Sequence, residues 1–339
     1  MWFIGVVVRV FILRLFGWGK QLWRWRWRWR RVWRRWLWRL RVMTENAKAW
    51  KNPIRDRVGL GWRRELAVGI LSHLDQIDLV EVIADDLFDA PRGKRRALRA
   101  LSAQTTVVLH GVSLGLASSV PVDTKLLEKT AKLCEEVEPE YWSEHLAFVR
   151  GGSVEIGHLT APPRTDATIE GAASNLERAR AVVGSAPLVE NIATLIDPPG
   201  SDYDEIDWVN GIMDLAPCGL LLDLHNLHAN ATNFSYDEID FLKRLPAERI
   251  VAVHLAGGKW VEALGERRIL DDHLHDVPDA VYRLLAELGA VVPHPLTVIL
   301  ERDGAYPPIE VLLRQLDRAR EALAEGRLRQ FEQIEKEAA

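Results

Sequence analysis

The sequence predicts an α/β fold, a (β/α)8 TIM barrel, and three observations predict it. Short apolar, β-branched runs alternate with longer amphipathic ones from residue 57 onward, the pattern of right-handed βαβ units and a parallel sheet. Eight such strand-like runs occur, enough to close a barrel of about 250 residues. The first of them leads into GWRRELA, not into the Gly-rich phosphate loop that often opens a doubly wound sheet.

The elements follow in order. VGLGW (58–62) reads as the first strand, and ELAVGILSHL after it carries apolar residues at three- and four-residue spacing. LVEVIAD (79–85) and TVVLHG (106–111) are the second and third strands, and DTKLLEKTAKLCEEV is a helix. YWSEHLAF (141–148) is the fourth strand; DATIEGAASNLERARAVV opens on an Asp suited to cap a helix. PLVENIA (187–193), GLLLDLHN (219–226), IVAVHLAG (250–257) and LTVILERD (296–303) complete the strands. DEIDWVNGIMDL, YDEIDFLKRL, VPDAVYRLLAELG and PIEVLLRQLDRAREAL supply helices between and after them, with Gly289 placed as a stop signal.

Charge divides the chain unevenly. The formal net charge is -4, yet residues 1–42 hold many Arg and Trp and no acid. The remainder is therefore acidic, which argues against nucleic-acid binding by the main domain. The Trp2–Trp18 stretch is interrupted by Arg9 and Arg14 and is too short and charged for a membrane span. It lacks a signal-peptide cleavage site. Residues 1–42 read as a mis-assigned start or a disordered extension, with Met43 opening the polar MTENAKAW. The other reading is an interfacial anchor, so membrane contact is expected only if this segment is genuine. The expected layout is this extension, a lead-in at 43–56, a catalytic barrel over 57–325 and a polar tail at 326–339. Two cysteines, Cys134 and Cys218, in unlike contexts suggest neither a disulfide framework nor a Cys-type zinc site. A reducing, cytoplasmic compartment fits.

The strand ends carry the chemistry. In a parallel barrel the active site forms at the C-terminal ends of the strands, and a polar group buried there is costly unless paired or metal-bound. His110 ends the third strand; Glu144 and His145 sit on the fourth; Glu190 and Asn191 end the fifth. The sixth brings Asp223, His225 and Asn226, with His228 beyond, the seventh His254, and the eighth Glu301 and Asp303. The loop LDDHLHDV adds Asp271, His273 and His275. Mixed imidazole and carboxylate donors suit Fe, Mn or Zn, and the supply exceeds one tetrahedral zinc. Two or more ions sharing bridging carboxylates is the economical reading. Taken singly, a strand-end His or Glu is more often a capping or hydrogen-bonding residue, and His225 and His228 fit that plainer role. His73, His158 and His294 read as surface or loop residues. The stretch HGVSLG also matches the nucleophile-elbow pattern around Ser113, but LASSVP after it breaks a helix, and a serine hydrolase would leave the other strand ends unexplained.

GLGWRRE, HGVSLGL, SEHLAF, VENIA, LLLDLHNLHANATNF, VHLAGG, LDDHLHDVPDAVYRLL and ILERDGAYPPI together resemble one family. It is the multinuclear non-haem iron-dependent oxidative enzymes (MNIO, UPF0276-like), which include the methanobactin-biosynthesis oxidase. The resemblance covers roughly residues 57–320. It implies a xylose-isomerase-like TIM barrel, two or three iron ions (Fe2+/Fe3+) and oxidation by O2. It implies a ribosomally made precursor peptide as substrate, modified at cysteine or another residue, and a separate peptide-presenting partner protein. By the same resemblance the metal ligands are His110, Glu144, Glu190, Asp223, Asn226, His254, Asp271, His273 and Glu301. His145, His275 and Asp303 are expected to orient ligands or move protons. Many members read EVHAEN at the second strand where this chain reads EVIADD, with Ile83 and Asp85 as departures that bear on the completeness of one metal site. Two other functions compete: a divalent-metal isomerase or endonuclease of the same barrel superfamily, and a non-catalytic scaffold with a vestigial site.

Overall fold

A computed structural model describes residues 52–151 and 154–338. The expectation for residues 1–42 lies outside the described residues. The strands are β1 (Arg57–Gly61), β2 (Leu79–Ile83), β3 (Thr106–Gly111), β4 (Trp142–His145), β5 (Phe148–Gly151), β6 (Val154–Thr160), β7 (Leu188–Glu190), β8 (Leu220–Asp223), β9 (Ile250–Leu255), β10 (Gly258–Ala263), β11 (Glu266–Asp271) and β12 (Thr297–Leu300). The helices are α1 (Ala67–Ser72), α2 (Arg92–Ser102), α3 (Thr124–Val137), α4 (Asp166–Val183), α5 (Glu205–Leu215), α6 (Leu224–Phe234), α7 (Glu238–Arg244), α8 (Asp279–Val291) and α9 (Ile309–Ala338).

Eight strands close a barrel in the order β1-β12-β9-β8-β7-β4-β3-β2, every pair parallel. Their sequences are nearly continuous apolar runs because both faces are covered: Leu220, Leu221 and Leu222 of β8 all have no accessible surface. Outside, Leu60, Val80, Val107, Leu109 and Val298 join helix residues such as Ile70, Leu127, Leu176 and Leu316 in one large core. Inside, Leu79, Val108 and Ile299 form one small cluster and Leu188, Leu221, Val251 and Ala252 another. The lumen is thus packed, and chemistry is confined to its mouth.

All eight expected strands are barrel strands, but two of the runs end early and one expected loop begins as a strand. YWSEHLAF stops as a barrel strand at His145, and Phe148 starts the antiparallel hairpin β5–β6. GLLLDLHN stops at Asp223, because that carboxylate accepts the Asn226 amide at 2.6 Å and caps α6. Leu270 and Asp271, expected in a loop, close a second hairpin, β10–β11. Both hairpins follow the C-terminal ends of barrel strands, β4 and β9. The last helix continues through the segment expected as a tail from 326, and Gly326 is buried within it. Among the described residues no helix is long and apolar enough to cross a membrane.

Candidate metal centre

Register builds the cluster. His145 on β4 is level with Glu190 on β7, and Asp223 on β8 is level with His254 on β9. Four strand ends therefore turn two acid–imidazole pairs into one buried mouth. Glu190 is the common member. Its Oε1 lies 3.0 Å from His254 Nδ1. Its Oε2 lies 3.4 Å from Nε2 of both His110 and His145. The His110 and His145 rings meet edge-on with centroids 4.6 Å apart. Glu301 from the end of β12 comes within 3.0 Å of His254 Nδ1. Two donor groups result: His110, His145 and Glu190; and Glu190, Asp223, His254 and Glu301, each with donor atoms within 4.8 Å of one another.

The orphaned atoms are what a cation would explain. Glu190 Oε2, Asp223 Oδ2, Asn226 Oδ1 and His145 Nδ1 are buried with no hydrogen-bond partner among the described residues. Buried polar atoms are overwhelmingly paired, so several at one spot fit a site that could hold a cation. Asp223 divides its labour: Oδ1 caps α6 while Oδ2 is free. The Asn191 amide holds the backbone of Asp223 from both sides, at 2.9 and 3.0 Å, and the Asn226 amide donates back to Asn191. The donor set, imidazoles with carboxylates, fits a borderline transition metal.

The acids and imidazoles of the cluster shift one another's protonation. Burial opposes a charge on His254, but Glu301, Glu81 and Glu190 outweigh it and raise its pKa well above the usual value. Burial likewise disfavours His145⁺, and Glu190 with Glu144 overcomes it to raise the pKa to about 9. Asp223 goes the other way: burial, then Asp271 and Glu190, push it well above the usual carboxylate range.

A second layer borders this centre. His273 places Nε2 3.0 Å from Asp271, and Nδ1 3.5 Å from Glu301 and 3.2 Å from Asp303. It does so in a left-handed conformation, φ 54°, a strained choice for a non-glycine residue. Asp271 is held by His225 Nδ1 at 2.7 Å, and Asp303 by Arg63 Nε at 2.8 Å. Burial would raise the Asp271 pKa, but His225 and His273 hold it low. Glu144 spends both oxygens on backbone amides, those of His145 and Leu114, and so supports the strand end. His275 stands apart from the cluster: it bonds Asp272, and its side chain is 47% exposed. His228 bonds Glu238 on α7. Ser113 donates to Asp85; among the described residues no histidine is hydrogen-bonded to it, so no nucleophile relay forms there.

Glu81 and Arg63 were not among the expected site residues. Glu81 is fully buried in β2, with His254 Nε2 3.0 Å from its carboxylate. A lone carboxylate inside LVEVI was the available signal. Of the two residues expected to depart from the family pattern, Ile83 is level with His110 across β2 and β3 and contributes no donor atom, and Asp85 accepts from Ser113 and the Val112 amide.

The comparisons identify the family and the barrel. The profile of the family described as RiPP precursor modification enzyme MbnB/TglH/ChrH matches residues 57–324. A UPF0276 protein of Nitrosospira multiformis is 32% identical over 271 residues, covering 78% of this chain and 92% of that protein. Among solved structures, L-ribulose 3-epimerase superposes with a TM-score of 0.52 at 16% identity, over 84% of this chain and 98% of that one. Endonuclease IV from Thermus thermophilus gives 0.51 at 15% identity, over 78% and 99%. At such identities these two likenesses establish the barrel and nothing of its chemistry.

Proposed function

The chain belongs to the RiPP precursor modification enzyme family MbnB/TglH/ChrH, and from that premise we propose that it is a multinuclear iron-dependent oxidase using O2 to modify cysteine, or another residue, of a ribosomally made precursor peptide. The observation that carries the reading is the shared carboxylate. Glu190 belongs to both donor groups, the arrangement a bridging ligand between two ions requires.

One ion would be held by His110, His145 and Glu190, and a second by Glu190, Asp223, His254 and Glu301. Asn226, whose Oδ1 has no partner, completes the donor set. A third ion would draw on Asp271 and His273. Iron bound by imidazole and carboxylate with an open position supplies oxygen chemistry. The chain's own residues do the rest. Glu144 and Asn191 fix the strand ends through backbone bonds. Asp303 and Asp271 orient His273. His145 Nδ1, buried without a hydrogen bond and 3.7 Å from Glu144 Oε1, is the atom placed to take up or release a proton. His275, half-exposed and bonded to Asp272, is not part of this assignment. A separate protein presenting the peptide belongs to the same proposal.

The test is elemental analysis of anaerobically purified protein, followed by oxygen-uptake and peptide-mass measurements with candidate precursor peptides encoded near its gene. Two or three irons per chain, with a mass change coupled to oxygen uptake, support the oxidase. Zinc or manganese with turnover and no oxygen uptake supports an isomerase or hydrolase instead, and a metal-free, inert protein supports the scaffold.

A further inference from the structure

The hairpin β10–β11 rises beside the centre and has two unlike edges. On β11, Ile269 turns its N–H and C=O outward to the side-chain amide of Asn233 on α6, at 2.7 and 3.0 Å. That amide occupies the place of a neighbouring strand. The two groups are therefore not exchanged with β10, so the opposed pair Trp260↔Ile269 is a non-hydrogen-bonded one. Alternation along an antiparallel ladder then makes Glu262↔Arg267 non-bonded as well. The tight turn at Leu264–Gly265, both at positive φ, agrees, since it is closed by Ala263↔Glu266. Trp260 and Glu262 consequently aim their backbone N–H and C=O away from β11. Among the described residues no strand pairs with that outer edge of β10.

Side chains add a second feature. Period-two alternation puts Arg267, Ile269 and Asp271 on one face of β11, with Trp260 and Glu262 opposite on the same face. Trp260 is 48% exposed, and the Arg267 guanidinium covers its ring at 4.5 Å. The face that ends in Asp271 beside the centre thus begins with an exposed, braced indole. One edge of a hairpin is closed by a dedicated amide and the other is open. An open strand edge recognises one thing well, an extended polypeptide backbone.

We infer that the precursor peptide docks as a third strand on the outer edge of β10, pairing with Trp260 and Glu262, and is led along the Trp260 face to the metal centre. This inference rests on the peptide-modifying reading. Backbone pairing is tolerant of side chains, so the edge would set the register of the peptide while the centre selects the residue that reacts.

The test uses full-length protein and a phage-displayed library of random peptides of about 16 residues, roughly 50 Å when extended, each with one fixed cysteine. Enriched peptides are then synthesised. The expected result is protection of the Trp260 and Glu262 amides from hydrogen exchange and a loss of affinity of about ten-fold or more in Glu262→Pro. Proline there removes an outward N–H and no ladder bond, so the hairpin itself is retained. Trp260→Ala keeps the backbone and is expected to weaken binding about three-fold or more. Absence of any enriched peptide, binding by both variants equal to that of the unsubstituted protein, or protection confined to another surface overturns the docking. Peptide mass after incubation with oxygen separates the two ideas. Modification unaffected by Glu262→Pro sinks the docking site alone. Edge-bound peptides left chemically unchanged keep the docking site and sink the oxidase.

Discussion

Glu81 and His254 form a pair with no accessible surface on either side chain, the imidazole Nε2 3.0 Å from the carboxylate. The other ring nitrogen, Nδ1, lies 3.0 Å from both Glu190 and Glu301. Glu81 therefore fixes the ring so that one nitrogen is committed and the other is presented to the centre, the role of a carboxylate behind a metal-bound histidine. Glu81→Gln is expected to leave the barrel folded and to weaken metal affinity by about ten- to a hundred-fold. Chelator competition monitored by metal content reads this out; unchanged affinity would remove Glu81 from the site.

Glu190 and His110 should fail differently. Glu190→Ala removes a donor from both groups and His110→Ala from one. Elemental analysis is expected to show both ions lost in the first variant and one retained in the second. Equal losses would mean that Glu190 does not join two sites. Circular dichroism confirms that each variant retains the barrel.

The N-terminal strand has its own electrostatic anchor. Asp78 accepts from the Val58 amide at 2.9 Å and from Arg55 at 2.6 Å. Burial would raise its pKa, but the Val58 amide, Arg55 and Arg320 outweigh it and lower it. A lowered folded pKa stabilises the fold above the unfolded value, about 3.9, and that stability fades as pH falls through the folded value. Asp78→Asn is expected to cost about 1 kcal/mol at neutral pH, with the difference shrinking below about pH 4. Denaturant melts at both pH values measure it; a gap independent of pH would contradict the charge-based account.

Gly326 lets α8 and α9 touch. A Cβ at this position would lie 2.2 Å from the Ala286 carbonyl oxygen and 2.8 Å from the Gly289 Cα. Gly326→Ala gains about 1 kcal/mol of helix propensity, yet overpacking against backbone costs about 1–3 kcal/mol. The expected net effect is a lowered melting temperature, checked by calorimetry. A stabilised variant would show that the two helices part without cost.

The barrel was legible because its evidence is repeated: each apolar run and each amphipathic run is an independent vote for βαβ. Most of the candidate centre was legible for the same reason, as His110, Glu190, Asp223, His254 and Glu301 each close an apolar run. What escaped was set by geometry that no run reveals. Glu81 lies in mid-strand, and its partner is 173 residues away. His225 reads as a capping residue; it sits on α6 and holds Asp271, which only the hairpin brings near. His275, expected to orient ligands or move protons, bonds Asp272 and is half-exposed. Arg63 carries no signal of its own and reaches Asp303 across the closing seam of the barrel.

Asp223 gives one oxygen to the first turn of α6 and keeps the other for the centre. The same helix carries Asn230, which clasps the loop after β7 through Ile192 and Thr194, and Asn233, which closes one edge of the hairpin. One helix thereby ties the mouth to the loop after β7 and to the hairpin. Amides at Thr194 and Ile269 should exchange more slowly once the centre is filled, which makes them built-in reporters of loading, readable before any turnover is assayed.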